Sequence, residues 1–336
     1  MRKLTLAALA MGMGLATATH AAASPAGPAP QAARPDSGIP LPAGPMPEAV
    51  KAFLDAHPVP AGAAAYARAK AEAARARASD PWRRASMADA AGAPAVRRVD
   101  GPSDTYLWTI DDFDASAIPD PSLWTMMDLD LTTFGDYQWG LSQCRAANGS
   151  QSLWAVGGGD DGSRLTCEDL YPPGANSSAM LAVDLTRFST PPSQLDFLVD
   201  FWLNTRIFEE AGVAADGLFV SYLKPRENQE PERIVLVALT SQYPERFFSD
   251  PLRIDMLKAT EVYPPYREVD MSTDPAPLIE FLFMSRDPNP QDGAMPTTFM
   301  GGAFIDNVRI ETDVQPGLAA RFDPARVIAP LLAPWD

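Results

Sequence analysis

The segment Leu195-Asp196-Phe197-Leu198-Val199-Asp200-Phe201-Trp202-Leu203 decides the fold. Every odd position is apolar, while Asp196 and Asp200 interrupt the even ones. A period of two belongs to a β-strand, whose successive side chains point to opposite faces, so this is a strand with one face in a core. Working outward, similar runs recur at 105–112, 136–141, 151–156, 179–186, 217–224, 233–240, 278–284 and 302–311. Turn formers separate them, as in Gly157-Gly158-Gly159-Asp160-Asp161-Gly162 and Asp287-Pro288-Asn289-Pro290. About nine strands with no convincing helix between them predict an all-β antiparallel sandwich, and the lack of a fixed repeat argues against a propeller or solenoid. The Gly157 to Gly162 run lacks the Lys-Ser/Thr ending of a phosphate loop and reads as a surface loop.

Composition sets the boundaries of that sandwich. The chain has 336 residues, 46% apolar and 21% charged, with a net charge of −16. Ten of its 34 prolines fall between residues 25 and 60, too many for a packed domain there. Residues 24–100 carry ten Lys or Arg against seven Asp or Glu, whereas 101–336 carry 15 against 36. The expected organisation is a signal peptide over 1–23, a Pro/Ala-rich leader over 24–104, a sandwich over 105–312 and an extension over 313–336. Within the leader, short helices are expected at 47–56 and over the Ala/Arg-rich 61–79. Its cations Arg68, Lys70, Arg75, Arg77, Arg83 and Arg84 are expected to rest against the acidic domain rather than on nucleic acid, which so acidic a protein repels.

Arg2 and Lys3, the apolar run from Leu4 and the small residues around Ala21-Ala22-Ala23 form a secretory signal. No segment reaches the roughly 20 apolar residues of a membrane span, so free secretion is expected. The Ala/Arg/Pro bias points to a bacterial genome of high GC content. In an oxidising compartment the two cysteines, Cys144 and Cys167, pair as a disulfide worth about 3 kcal/mol. With only His20 and His57 in the chain, and His20 in the segment to be removed, Ser-His-Asp and Cys-His catalysis are excluded unless His57 acts from the leader. Carboxylate pairs drawn from Glu209, Glu210, Glu227, Glu230 and Glu232 leave a carbohydrate hydrolase as the enzymatic alternative.

Two aspartates stand out on the strand alternation. Asp112 continues the face of Tyr106, Trp108 and Ile110, and Asp306 shares a face with Phe304, Val308 and Ile310. An unpaired charge on an apolar face costs several kcal/mol. Either a cation meets it, with Ca2+ held by Asp112, Asp306, Asp111 and Asn307, or the two aspartates cap turns by accepting backbone N–H bonds. A ligand surface is sought on the other face of the 195–203 strand, where Asp196, Asp200 and Trp202 combine carboxylates with an aromatic ring. Large aromatics at strand positions are more often core.

The succession Asp111-Asp112-Phe113-Asp114, Trp139-Gly140, Arg145-Ala146-Ala147-Asn148-Gly149-Ser150-Gln151-Ser152-Leu153-Trp154, Ala182-Val183-Asp184-Leu185-Thr186 and Ala303-Phe304-Ile305-Asp306-Asn307-Val308-Arg309-Ile310 resembles the jelly-roll modules attached to secreted immune-inhibitor-A-type peptidases. Those modules are similar to MAM and carbohydrate-binding jelly rolls. The resemblance implies a two-sheet jelly roll with first and last strands adjacent and a structural calcium near Asp112 and Asp306. No His-Glu-x-x-His occurs, so the peptidase half is missing. The expectation is therefore a secreted, non-catalytic module that binds an extracellular glycan or surface protein. A structural cell-envelope protein is the further alternative.

Overall fold

The computed structural model describes residues 45–59, 61–79, 96–99, 105–114, 117–121, 123–129, 135–172, 174–204, 216–226, 229–240, 251–285 and 301–316. The expected signal peptide, most of the Pro-rich stretch and all but the start of the 313–336 extension lie outside these residues.

Two helices come first, α1 (Glu48–Ala56) and α2 (Ala61–Ser79), followed by β1 (Val96–Val99), β2 (Thr105–Asp111), β3 (Trp124–Asp128), β4 (Gln138–Ser142) and β5 (Ser152–Gly158). Then come β6 (Ser177–Ala182), β7 (Leu195–Asn204), β8 (Gly217–Lys224), β9 (Glu232–Thr240), β10 (Leu252–Asp255), β11 (Ala259–Thr260), β12 (Glu268–Val269), β13 (Leu278–Met284) and β14 (Gly302–Thr312). Every pairing is antiparallel. In the front sheet β14 is flanked on one side by β7, which also pairs with β10; on its other side β5 and β2 follow one another along its length, extended by β4 and β1. The back sheet runs β3-β6-β13-β8-β9, and β11 with β12 forms a separate ribbon. The chain crosses repeatedly between sheets, and its first long strand lies beside its last, as in a jelly roll. The all-β expectation holds. The expected strands appear within a few residues of their predicted limits, joined by β1, β3 and β10 to β12, which the alternation did not reveal.

Between the sheets, Phe281 of β13 is the hub, 6.0 Å from Trp124, 6.4 Å from Trp139 and 6.2 Å from Phe197 between ring centroids. Phe197 fixes the parity of β7: Leu195, Phe197, Val199, Phe201 and Leu203 face inward, and Asp196, Leu198, Asp200 and Trp202 face outward, as the alternation predicted. Burial of a Phe or Leu side chain contributes about 1.5–3 kcal/mol, and a dozen of the largest are fully buried here.

The outer face of the back sheet is closed by the helices. In α1 the spacing of Val50, Phe53 and Leu54 gives one apolar stripe, packed with Phe219, Leu282, Val262 and Tyr263. The Ala-rich α2 packs Ala64 and Ala67, with Ala63 partly buried beside them, against Met180, Leu223 and Leu278. Its hold is chiefly polar. Arg68 donates to Asp274 at 3.0 Å and to the Leu223 carbonyl at 2.8 Å, and Lys70 Nζ donates to the Trp124 carbonyl at 2.6 Å. Two of the six leader cations thus rest on the acidic domain. The side chains of Arg75 and Arg77, and all of Arg83 and Arg84, lie outside what is described. Beneath α1, the Arg233 guanidinium donates to both carboxylate oxygens of fully buried Glu280, at 2.8 and 3.0 Å, and to the carbonyls of Leu54 and His57.

Candidate functional site

The outer face of the front sheet carries Asp196, Asp200, Trp202 and Asp306 of the predicted site residues, and two bulges decide where the others go. Between β2 and β14, Val308 faces Asp111 while Arg309 faces Thr109, so Ile110 is an extra residue. Parity slips by one. Asp111, not Asp112, turns inward: its carboxylate accepts the Trp124 indole N–H at 2.8 Å and the Phe113 amide at 2.9 Å, and burial pushes its pKa up. Asp112 is exposed, correcting the inward position expected for it.

A second bulge lies in β14. From Asp306 to Arg309 that strand advances three residues while β7 advances two, with Asn307 in the left-handed region at φ +47°. Phe304 and Asp306 therefore face outward with Trp202 and Asp200, while Val308 and Ile310 face inward; the single face expected for all four is corrected. Asp306 is nonetheless fully buried, because the 144–150 loop lies over it. Its carboxylate accepts N–H bonds from Ala147 at 2.8 Å, Asn148 at 3.3 Å and Asn307 at 2.7 Å. Burial, reinforced by nearby Asp200, outweighs those bonds and pushes the pKa up to about 6.

These contacts bear on calcium directly. The oxygens of Asp111 and Asp306 are already taken by N–H donors, whose positive ends would repel a cation, and Asp112 points elsewhere. As arranged, Asp111, Asp112, Asp306 and Asn307 do not fit the ion, and they act as caps and bulge residues. Among the described residues no cluster of three or more His, Cys, Asp or Glu is placed to hold a metal.

The rest of this face is a band of ion pairs ending in aromatic rings. Arg253 bridges Asp196 at 2.9 Å and Glu311 at 3.0 Å, with Gln194 donating to both acids. Next along the strands, Arg309 holds Asp200 through two bonds of 2.8 and 3.0 Å, and the Asn307 amide adds a third at 2.9 Å. Beyond them Phe304 stacks on Trp154 at 5.3 Å and meets Trp202 edge-on at 5.4 Å. Trp202 is only 1% exposed, so it is not the open platform expected of it; the Arg145 guanidinium lies 3.9 Å from its ring centroid. Trp108, Trp124, Trp139 and Trp154 are buried too.

The 144–150 loop that carries Arg145 is fastened at several points. Cys144 is bonded to Cys167 with Cα atoms 5.2 Å apart, as predicted. Ser152 Oγ donates to the Arg145 carbonyl, and Asp114 accepts the amides of Ser150 at 2.8 Å and Gln151 at 3.2 Å. Gly149, at φ +70°, lies where a Cβ would overlap the Asp114 carboxylate. Around the rings, Trp154 Nε1, Trp202 Nε1 and Arg145 Nε are buried with no acceptor, each an expense of about 1–3 kcal/mol. Alternation could not reveal Arg145 as the cover of a ring 57 positions away in sequence.

Of the carboxylates considered for hydrolysis, Glu232 is committed to Arg267 at 2.8 Å and Arg226 at 3.0 Å, and the Arg267 hydrogen bond holds its pKa below the usual range. Glu230 is exposed, and Glu209, Glu210 and Glu227 lie outside the described residues.

No protein-family model matches the chain, and no curated protein is similar to it in sequence. Among solved structures, the CBM22-1 xylan-binding domain of Xyn10C from Paenibacillus barcinonensis is similar, at 13% identity and a TM-score of 0.26, over 57% of this chain and 86% of that one. The CBM22-1-CBM22-2 tandem of the same protein gives 10% and 0.28, over 57% of this chain and 47% of that one. The CBM22-1-GH10 modules of a Clostridium thermocellum xylanase, complexed with xylohexaose, give 12% and 0.27, over 60% of this chain and 27% of that one. This chain therefore spans less than half of the two longer structures it matches. Scores this low lend no weight to a shared function, and the sandwich is defined here by its own strand pairing. None of these neighbours is an immune-inhibitor-A-type peptidase.

Proposed function

We propose that the protein is an exported, non-catalytic binding module that takes a glycan on the outer face of the front sheet. The observation that carries this is the difference in cover. α1 and α2 close the outer face of the back sheet, whereas the front face keeps partly exposed guanidinium, carboxylate and amide groups on β10 and β14, paired with the buried carboxylates of β7. Such groups, fixed in pairs on rigid strands, match the donor and acceptor pattern of sugar hydroxyls. The disulfide and the N-terminal export pattern support an oxidising, extracellular setting. No helix among the described residues is long and apolar enough to cross a membrane. A panel of soluble polysaccharides assayed by affinity electrophoresis is the test: retardation by at least one, lost in Arg253→Ala, is expected. A folded protein retarded by none would overturn the assignment.

One observation favours the structural-envelope alternative, namely that all five described tryptophans are buried, leaving no open aromatic platform. That alternative predicts no glycan retardation and co-sedimentation with purified cell envelopes.

A further inference from the structure

Arg145 differs from every other arginine whose side chain is described. Arg68, Arg164, Arg187, Arg226, Arg233, Arg253, Arg267 and Arg309 each meet an Asp or Glu within 4 Å. In a chain of net charge −16 such partners are abundant. Arg145 has none; its one recorded contact through the guanidinium is the Trp202 ring. It is half-buried, so one edge reaches solvent while the Nε–H is enclosed. The loop beneath it is fixed by the disulfide, by Asp306 and by Asp114, so its position is set in advance of any ligand.

The surroundings lack acceptors rather than donors. Trp154 Nε1, Trp202 Nε1 and Arg145 Nε all stand unpartnered on one sheet face, around Phe304. The acids nearest along the strands, Asp200 and Asp306, are already engaged by Arg309, Asn307 and backbone amides. A guanidinium stacked on an indole keeps its in-plane donors free, and the groups that fit two such donors are carboxylate and phosphate, of which a uronic acid supplies the carboxylate.

We propose that Arg145, stacked on Trp202, forms a subsite for the carboxylate of an acidic sugar, so that the ligand of the front face is a uronate-containing glycan. This rests on the glycan assignment above and goes beyond it by naming the sugar class. Binding is a charge-assisted, bidentate contact with no covalent step, and Trp202 acts as the support that holds the guanidinium plane rather than as a sugar platform.

The experiment titrates the full chain calorimetrically with galacturonate oligosaccharides and with the same oligosaccharides after carboxyl reduction. The wild type is expected to bind the acidic form at least about tenfold more tightly. Arg145→Gln should remove that difference, and Arg145→Lys, which keeps the charge but not the fork, should restore only part of it. Thermal melts of both variants check folding, and Arg145→Lys serves where Arg145→Gln is unfolded. Equal affinity for acidic and reduced forms would overturn the uronate subsite and leave glycan binding standing. Binding of neither would overturn the uronate subsite, and retardation by none of the polysaccharide panel would overturn the glycan assignment with it. Equally tight, Arg145-dependent binding of an oligoglutamate would show that the subsite serves acidic peptides and overturn its assignment to sugars.

Discussion

On the back sheet Glu280 and Arg233 meet beneath α1 with side chains 0% and 10% exposed; on the front sheet Arg253 reaches Glu311 with 28% and 21% exposed. Both are arginine-carboxylate pairs on strands of one sandwich, and the distances are nearly equal. Cover separates them. Under α1 the pair also satisfies helix-end carbonyls and the Ser178 hydroxyl, so every charge there is spent on architecture. On the front face the same chemistry stays within reach of solvent, where a ligand can compete for it. Buried polar pairs therefore need not mark function, and the proposed ligand face is the one whose pairs stay half-covered beside an unmatched cation.

The largest effect that tests this contrast is Glu280→Gln. It leaves Arg233 buried without a full counter-charge, and a loss of about 3–5 kcal/mol in urea unfolding is expected. Glu311→Gln on the front face should cost less than about 1 kcal/mol. Similar losses at the two positions would erase the distinction drawn from cover.

A middle-sized effect concerns Asp306. Its pKa is raised in the folded state to about 6, so the fold favours the neutral carboxyl, and the corresponding stability is fully present below pH 4 and lost as pH rises through 6. Measured as the difference in unfolding free energy between wild type and Asp306→Asn, about 3 kcal/mol should disappear over that window. Taking the difference cancels carboxylates not coupled to Asp306, Asp111 among them. A flat difference would mean that the three N–H bonds, and not burial, govern the group.

The smallest effect expected is that of chelation. With Asp111 and Asp306 occupied by N–H donors, melts in calcium and in chelator should coincide. A midpoint that rises with calcium would mean that the carboxylates regroup around an ion.

The core stripe of β7 was legible because alternation over nine residues has one solution, and the helices because strong helix formers fill 61–79 and a proline opens 47–56. β3 was not, since Trp124-Thr125-Met126-Met127-Asp128 does not alternate and pairs along one edge only. The aspartates were located correctly but aimed wrongly, since one extra residue, Ile110 on β2 and Asn307 on β14, reverses everything beyond it, and neither residue announces a bulge. Trp202 was placed on the right face with the wrong exposure, because its cover comes from a distant loop.

The position of β14 has a consequence for how the protein is made. Residues 302–312 join β2, β5 and β7, so the front sheet lacks its middle until they are available. A ribosome has delivered just over three hundred residues before that strand leaves it, and pairings between such distant segments close slowly. Until then the strands of an incomplete sheet stay open. On the export route proposed above, the front sheet would close only once β14 has passed.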